Sequence, residues 1–209
     1  MNYGDGVYGG RFVGAMYAEA FFETDMEKVV AAGLRTVPKG SQYRACIADV
    51  VRWYRAHPDD WRKTWKLVND KYHLNPDYRR FSCSGPKGTF NIDAKINGAY
   101  IVMGMLYGNG DPDRTIIIST RCGQDSDCNP SNAAGILFTS IGYKKLPDRF
   151  VSALNPAGTF SHTPYTFPKL CTVCESLARK VVVAEGGGIE KDAGGREVFV
   201  IPVRTPDPG

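Results

Sequence analysis

Long hydrophobic runs are missing from this chain. No apolar stretch approaches the roughly 20 residues that cross a bilayer as a helix, so the sequence offers no candidate membrane span. The opening residues Met1-Asn-Tyr-Gly-Asp have neither the basic nor the apolar region of a signal peptide, which gives cytoplasmic as the expected location. An excess of one charge is also lacking. Twenty-six Lys and Arg against 22 Asp and Glu leave a net charge of +4, which suits an anionic ligand such as a pyrophosphate. It is not the dense basic stripe that nucleic acid requires. Histidine is scarce, with three residues in all, and His162 in an irregular stretch reads as a surface or satisfied residue rather than a base. Internal repeats and low-complexity tracts are absent.

Cysteine is too thin for a disulfide scaffold: six residues in 209 (Cys46, Cys83, Cys122, Cys128, Cys171 and Cys174) cannot staple a chain that is long enough to build its own core. Cys171-Thr-Val-Cys174 has C-x-x-C spacing but lies in an apolar helical pattern, so core packing is expected for it. A zinc site from Cys122, Cys128, Cys171 and Cys174 is the alternative, although Cys122 and Cys128 are spaced more widely than a tight zinc knuckle.

What is present is mostly helical pattern. Asp5 to Phe22 is a small-residue helix with Glu19 at a boundary position. Its opening Gly4-Asp-Gly6-Val-Tyr-Gly9 matches G-x-G-x-x-G, but a dinucleotide fingerprint needs a strand before it and alternating strands and helices after it. Neither pattern is here. Thr24-Asp-Met-Glu27 reads as a capping box ahead of Lys28 to Leu34. Ser41 caps a helix with Tyr43, Cys46, Ile47, Val50, Val51 and Tyr54 on one face. Asp59 and Asp60 read as first-turn acids of the next helix, whose Trp61, Trp65, Val68 and Tyr72 share a side. Asn75 to Gly88 is a loop, and its Tyr78-Arg79-Arg80-Phe81 reads as surface rather than as a phosphate contact. Asn91 is expected to cap Ile92 to Tyr107, and Gly108-Asn-Gly110 to stop it. In Asp111-Pro112-Asp113-Arg-Thr-Ile-Ile-Ile, the cap and proline argue helix and the isoleucines argue strand; the start signals decide for helix. After Tyr143 to Tyr165, which is irregular, a long helix runs from Phe167 to Gly186-Gly-Gly188. The tail to Val203 then reads as a hairpin around Gly194-Gly195. The expected division is 1–186, helical, and 187–209, hairpin and linker.

The chemistry concentrates in Arg121-Cys-Gly-Gln-Asp125-Ser-Asp127-Cys128-Asn129-Pro130. Two carboxylates two residues apart precede an apolar helix, with Pro130 expected at its first position. Such a pair can converge on one hard cation, Mg²⁺, Mn²⁺ or Ca²⁺, near the positive end of the helix. A cap by one acid or by Asn129 is the plainer reading, but it accounts for one side chain of three. The EF-hand loop is excluded: it needs glycine sixth and glutamate twelfth, where this chain has Pro130 and Ile136.

Gly123-Gln-Asp-Ser-Asp-Cys128-Asn-Pro-Ser-Asn-Ala-Ala-Gly-Ile-Leu resembles the C-terminal signature of the ADP-ribosylglycohydrolases. Asp5-Gly-Val-Tyr-Gly-Gly-Arg-Phe-Val-Gly-Ala is similar to the family's central glycine-rich helix. The resemblance runs from about Asp5 to about Pro206. It implies an all-α orthogonal multi-helix bundle, here with a small C-terminal β-hairpin. It also implies a hydrolase with a binuclear Mg²⁺ or Mn²⁺ centre, cleaving the glycosidic bond of ADP-ribose adducts on a protein or a small molecule. Asp125 and Asp127 match the signature's metal-binding aspartates, and Gly123 would let backbone approach the ligand. Cys128 falls where many members carry Thr or Ser as an additional oxygen ligand. The family's other acidic motif has no counterpart before Asp5. The resemblance therefore implies the C-terminal portion of a longer domain, active or else a non-catalytic binding remnant of the same fold.

Overall fold

The structure is a computed structural model that describes residues 3–79 and 92–209. Among these residues it contains nine α-helices and one two-stranded antiparallel hairpin. The helices are α1 Asp5–Ala20, α2 Met26–Arg35, α3 Gln42–Ala56, α4 Trp61–Val68, α5 Pro76–Arg79, α6 Ala94–Gly108, α7 Pro112–Arg121, α8 Cys128–Ile141 and α9 Phe167–Ala184. The strands are β1 Gly188–Lys191 and β2 Glu197–Val200. The fold is all-α with a small C-terminal hairpin. Among the described residues no helix is long and apolar enough to cross a membrane.

The chain divides into two compact units, Met1–Leu146 with Pro206–Gly209, and Pro147–Thr205. The first unit is built on α6, of which every residue except Ala94 is buried. A helix with no polar face has nowhere to sit but the centre of a bundle, and α1, α2, α3, α4, α7 and α8 all pack against it. Glycine sets the spacing. A Cβ on Gly104 would stand 2.7 Å from the Ser119 Cβ and 2.9 Å from the Thr115 carbonyl of α7. One on Gly98 would stand 2.2 Å from the Tyr43 hydroxyl of α3. In α1 a Cβ on Gly9 would meet Tyr43, whereas Gly10 and Gly14 face open space. Phe12, Met16, Val29, Tyr43, Ile47, Val50, Ile96, Met103 and Ile136 fill the core.

Capping explains most helix starts. Ser41, Asp60, Asp93 and Asp111 accept from Arg44, Lys63, Lys95 and Arg114 backbone N–H groups. Asp111 with Pro112 overrides the β-preference of three isoleucines, as the sequence led one to expect. The cap of α2 is Asp25 rather than Thr24: its carboxylate accepts from Glu27 and Lys28, while Glu23 accepts from Thr24 and Asp25. Asp93 caps α6, two residues past the expected Asn91, which lies outside the described residues, as do Arg80 to Gly88. Within Tyr78-Arg79-Arg80-Phe81, the described Arg79 is buried rather than on the surface. Trp61 and Trp65 are half-buried at the edge of the core.

In the second unit, α9 packs against β1, and the hairpin register pairs Gly188 with Val200 and Lys191 with Glu197. Arg179 ties these pieces together. It pairs with Glu175 at 2.8 Å and Glu197 at 2.5 Å, and it lies over the Phe199 ring. Cys171 and Cys174 are exposed, which overturns the expectation that they pack in a core. The apolar periodicity of α9 is real, but no residue of this helix is buried.

Candidate metal centre

The acidic loop joins α7 to α8, and the bundle holds it at several points. The Trp65 indole N–H donates to the Cys122 carbonyl at 2.8 Å. The backbone then reverses through two left-handed residues, Gly123 at φ 89° and Gln124 at φ 59°. A side chain at Gly123 would meet nothing within 4 Å, so glycine is there for the dihedral and not for space. Beyond the reversal the loop rests on α6. The Asn97 side-chain oxygen Oδ1 accepts the Asp125 N–H at 3.3 Å and the Asn129 side-chain amide at 2.8 Å. Asn129, buried at the start of α8, also reaches the Gly123 carbonyl at 3.5 Å. Asn97 thus fixes the loop and the helix that follows it to the most deeply buried element of the fold.

Helix α8 begins at Cys128, so Pro130 is its third residue rather than its first. The cap position is Asp127, yet its side chain makes no capping hydrogen bond. Asp125 offers a long 3.4 Å contact to the Cys128 N–H. Asn129 spends its amide on Asn97 and Gly123. Helix-end hydrogen bonding therefore engages Asp125 and not Asp127, whose carboxylate is left without work inside the loop. One carboxylate oxygen each from Asp125 and Asp127, and the Cys128 sulfur, all lie within 4.8 Å of one another. Asp125 is half-buried and the other two are exposed. The Cys128 thiol is pushed above its ordinary pKa, first by its hydrogen bond to Asp125, then by the charges of Asp125 and Asp127. This is the only group of three or more potential metal ligands among the described residues. Cys122 does not join it: its side chain is buried, and its sulfur is not among the converging donors.

A second polar cluster sits around the start of α6. Asp93 caps the helix and forms an ion pair with Lys95, whose side chain is fully buried. Asp5, at the start of α1, is raised above its ordinary carboxylate pKa by burial, with the Lys95 charge opposing and the Asp93 charge adding. Sequence reasoning passed over Asp93, Lys95 and Asn97. The signal was one lysine and one asparagine inside an otherwise apolar helix, polar residues that a buried helix keeps only with partners.

Two carboxylate oxygens that converge at a solvent-accessible place are a donor set able to hold a hard cation. The family model described as ADP-ribosylglycohydrolase matches residues 2–186. No curated protein and no solved structure matches the chain. Members of that family are hydrolases of ADP-ribosylated substrates and are generally metal-dependent. With nearly the whole helical part matched and the acidic loop in place, this chain belongs to the ADP-ribosylglycohydrolase family.

Proposed function

We propose that this chain binds a divalent cation through Asp125 and Asp127 and uses it to hydrolyse the glycosidic bond of an ADP-ribose adduct. The substrate would be an ADP-ribosylated protein or a small ADP-ribose-containing molecule, and Mg²⁺ or Mn²⁺ are the ions the resemblance implies. The observation that carries the reading is the convergence of two carboxylates, of which Asp127 is not engaged in capping. The donor chemistry fits a hard cation at those two oxygens and departs from it at the Cys128 sulfur. The chemistry such a cation supplies is positive charge against ribose hydroxyls, a water or the leaving group. The chain's own part is to hold the carboxylates: Asn97 and Asn129 fix the backbone, and Gly123 keeps the turn open.

A purely binding role on the same fold is the second reading. It is favoured by the single ligand group among the described residues, where the family resemblance implies two ions. The test is the thermal midpoint with Mg²⁺ or Mn²⁺ plus ADP-ribose, alongside release of ADP-ribose from a modified protein. Ligand at about 100 times its dissociation constant stabilises by roughly 2.7 kcal/mol, a rise of about 5–11 °C on the usual size scaling. The rise is expected in the wild type and not in Asp125→Ala/Asp127→Ala. A rise without turnover selects the binding role, and the absence of any rise rejects both.

A further inference from the structure

We propose that Cys171 and Cys174 on α9 are half of a four-thiolate site for Zn²⁺, completed by the same two residues of a second copy of this chain in a parallel pairing of the two α9 helices. The proposal is independent of any cation at Asp125 and Asp127. It starts from a C-x-x-C pair that no core uses: both thiols are exposed, on a helix none of whose residues is buried.

Side chains three apart on a helix are neighbours, with about 5–6 Å between their Cβ atoms. That is wider than the roughly 3.5–4.5 Å of a disulfide, so a regular helix holds the pair apart for oxidation. The same spacing suits two sulfur–zinc bonds of about 2.3 Å, which set the sulfurs about 3.8 Å apart. Helical i, i+3 pairs hold metals in bundle cores on this geometry. A closed zinc site takes four ligands. Among the described residues, the group of three or more potential ligands is Asp125, Asp127 and Cys128, so the C-x-x-C pair has no described third ligand on its own chain. A two-fold partner supplies two more thiolates and closes the site.

The rest of α9 selects the pairing. Leu170, Cys174, Leu177, Val181 and Ala184 recur at alternating intervals of four and three, the seam of a two-stranded coil. That seam is open: Leu177 is 53% and Val181 57% exposed. In a parallel pair each seam residue meets its own counterpart, which brings all four thiols to one level. An antiparallel pair crossing at the thiols would set Leu177 against the partner's Pro168 and carry Val181 past the start of the partner's helix. Leucine alternating with a β-branched residue is also the pattern that favours two parallel strands. Charge agrees. Lys180 precedes one seam position and Glu185 follows the next, and a parallel coil sets such flanking residues of its two helices side by side. Glu185 holds Arg204 through Oε2 at 2.6 Å, which leaves Oε1 to accept Lys180 of the partner subunit. The seam from Leu170 to Ala184 is about 21 Å long, too short to hold two chains unaided, so the ion decides whether they pair. Assembly replaces four S–H bonds with four sulfur–zinc bonds and releases four protons to solvent, with no change of oxidation state.

The experiment uses the full 209-residue chain, stripped of metal, kept reduced with a phosphine and titrated with Zn²⁺ while its mass is followed by light scattering. The mass of one chain is expected without zinc, and twice that mass at half an equivalent per chain, reversed by a chelator. Co²⁺ in place of Zn²⁺ should give a thiolate-to-metal charge-transfer band that saturates at the same half equivalent. Cys171→Ser/Cys174→Ser should abolish band and dimer with circular dichroism unchanged, and Cys128→Ser should abolish neither. Leu177→Glu, at an exposed position, should weaken the zinc-dependent dimer about ten-fold or more, because it sets like charges face to face. Lys180→Glu should weaken it for the same reason, and Lys180→Glu/Glu185→Lys should restore it. Zinc bound at one ion per chain with no doubling of mass overturns the proposal, as does failure to bind zinc. A dimer that survives the chelator or Cys171→Ser/Cys174→Ser overturns it too. A zinc-dependent dimer indifferent to Leu177→Glu and to the charge reversal overturns the parallel pairing. A band kept in Cys171→Ser/Cys174→Ser and lost in Cys128→Ser places the ion at the acidic loop and overturns the site on α9.

Discussion

Asn97 carries more of the candidate site than either aspartate shows on its own. Its side-chain oxygen is the shared acceptor for the Asp125 backbone and the Asn129 amide, so it sets where the carboxylates begin. Removing it leaves the buried Asn129 amide with only the 3.5 Å contact to Gly123. An unsatisfied buried donor costs about 1–3 kcal/mol, so Asn97→Ala should lower the unfolding free energy from urea titration by that amount. The loop would also lose its register, and outer-shell partners of metal ligands typically matter about 10–100-fold in affinity. Stability from urea unfolding and affinity from Mn²⁺ titration separate the two effects. If affinity stays within a factor of two while stability falls, Asn97 supports the bundle and not the site. Asp125, Asp127 and Gly123 stand out in the sequence as candidates because loops that gather acids and glycine before a helix are locally marked. Asn97 does not, because nothing within its own helix says that a loop 28 residues onward will rest on it.

At the scale of elements, the helices could be read and their packing could not. Periodicity and caps located α3, α4, α7 and α9 closely, and the Asp111-Pro112 start correctly outweighed three isoleucines. The misassigned cap of α2 arose because Thr24 and Asp25 are both good capping residues and only backbone geometry chooses between them. The centrality of α6 follows from its lack of a polar face, but its close fit with α7 depends on which glycine meets which neighbour. That makes a direct contrast. Gly104→Ala places a Cβ against Ser119 and the Thr115 carbonyl, and overpacking of this kind costs about 1–3 kcal/mol. Gly14→Ala in α1 meets nothing within 4 Å, so only helix propensity acts, and it should stabilise by about 0.5–1 kcal/mol. Thermal unfolding of the two variants should move in opposite directions. Two shifts of the same sign would mean that α6 is not packed as tightly on α7 as described. The error at Cys171 and Cys174 belongs at this scale also: an apolar stripe along α9 shows a face that can be covered, not that it is.

For the molecule as a whole, the acid groups of the helical unit differ in what they contribute to stability, and pH separates them. Asp5 is raised above its ordinary carboxylate pKa of 3.8, mainly by burial, despite Lys95 nearby and a Tyr43 backbone N–H facing it, with Asp93 reinforcing the rise. A carboxylate whose folded pKa is raised favours folding only while it is protonated. That contribution is complete below the unfolded value and is lost as pH climbs through the folded one. At neutral pH Asp5 is therefore ionised at a cost, and Asn, which mimics the protonated acid, should relieve it. Asp5→Asn is expected to raise the thermal midpoint at pH 7, and its advantage should shrink as pH falls through the raised folded pKa toward the ordinary value of 3.8. Melting curves from pH 4 to pH 8 for both proteins test this. A constant gap across that range would mean the gain has nothing to do with ionisation. A gap that widens toward acid would mean that the Lys95 charge outweighs burial and that the carboxylate is held down rather than up. Stability of the bundle and charge at its α1–α6 end would then be coupled in the opposite sense.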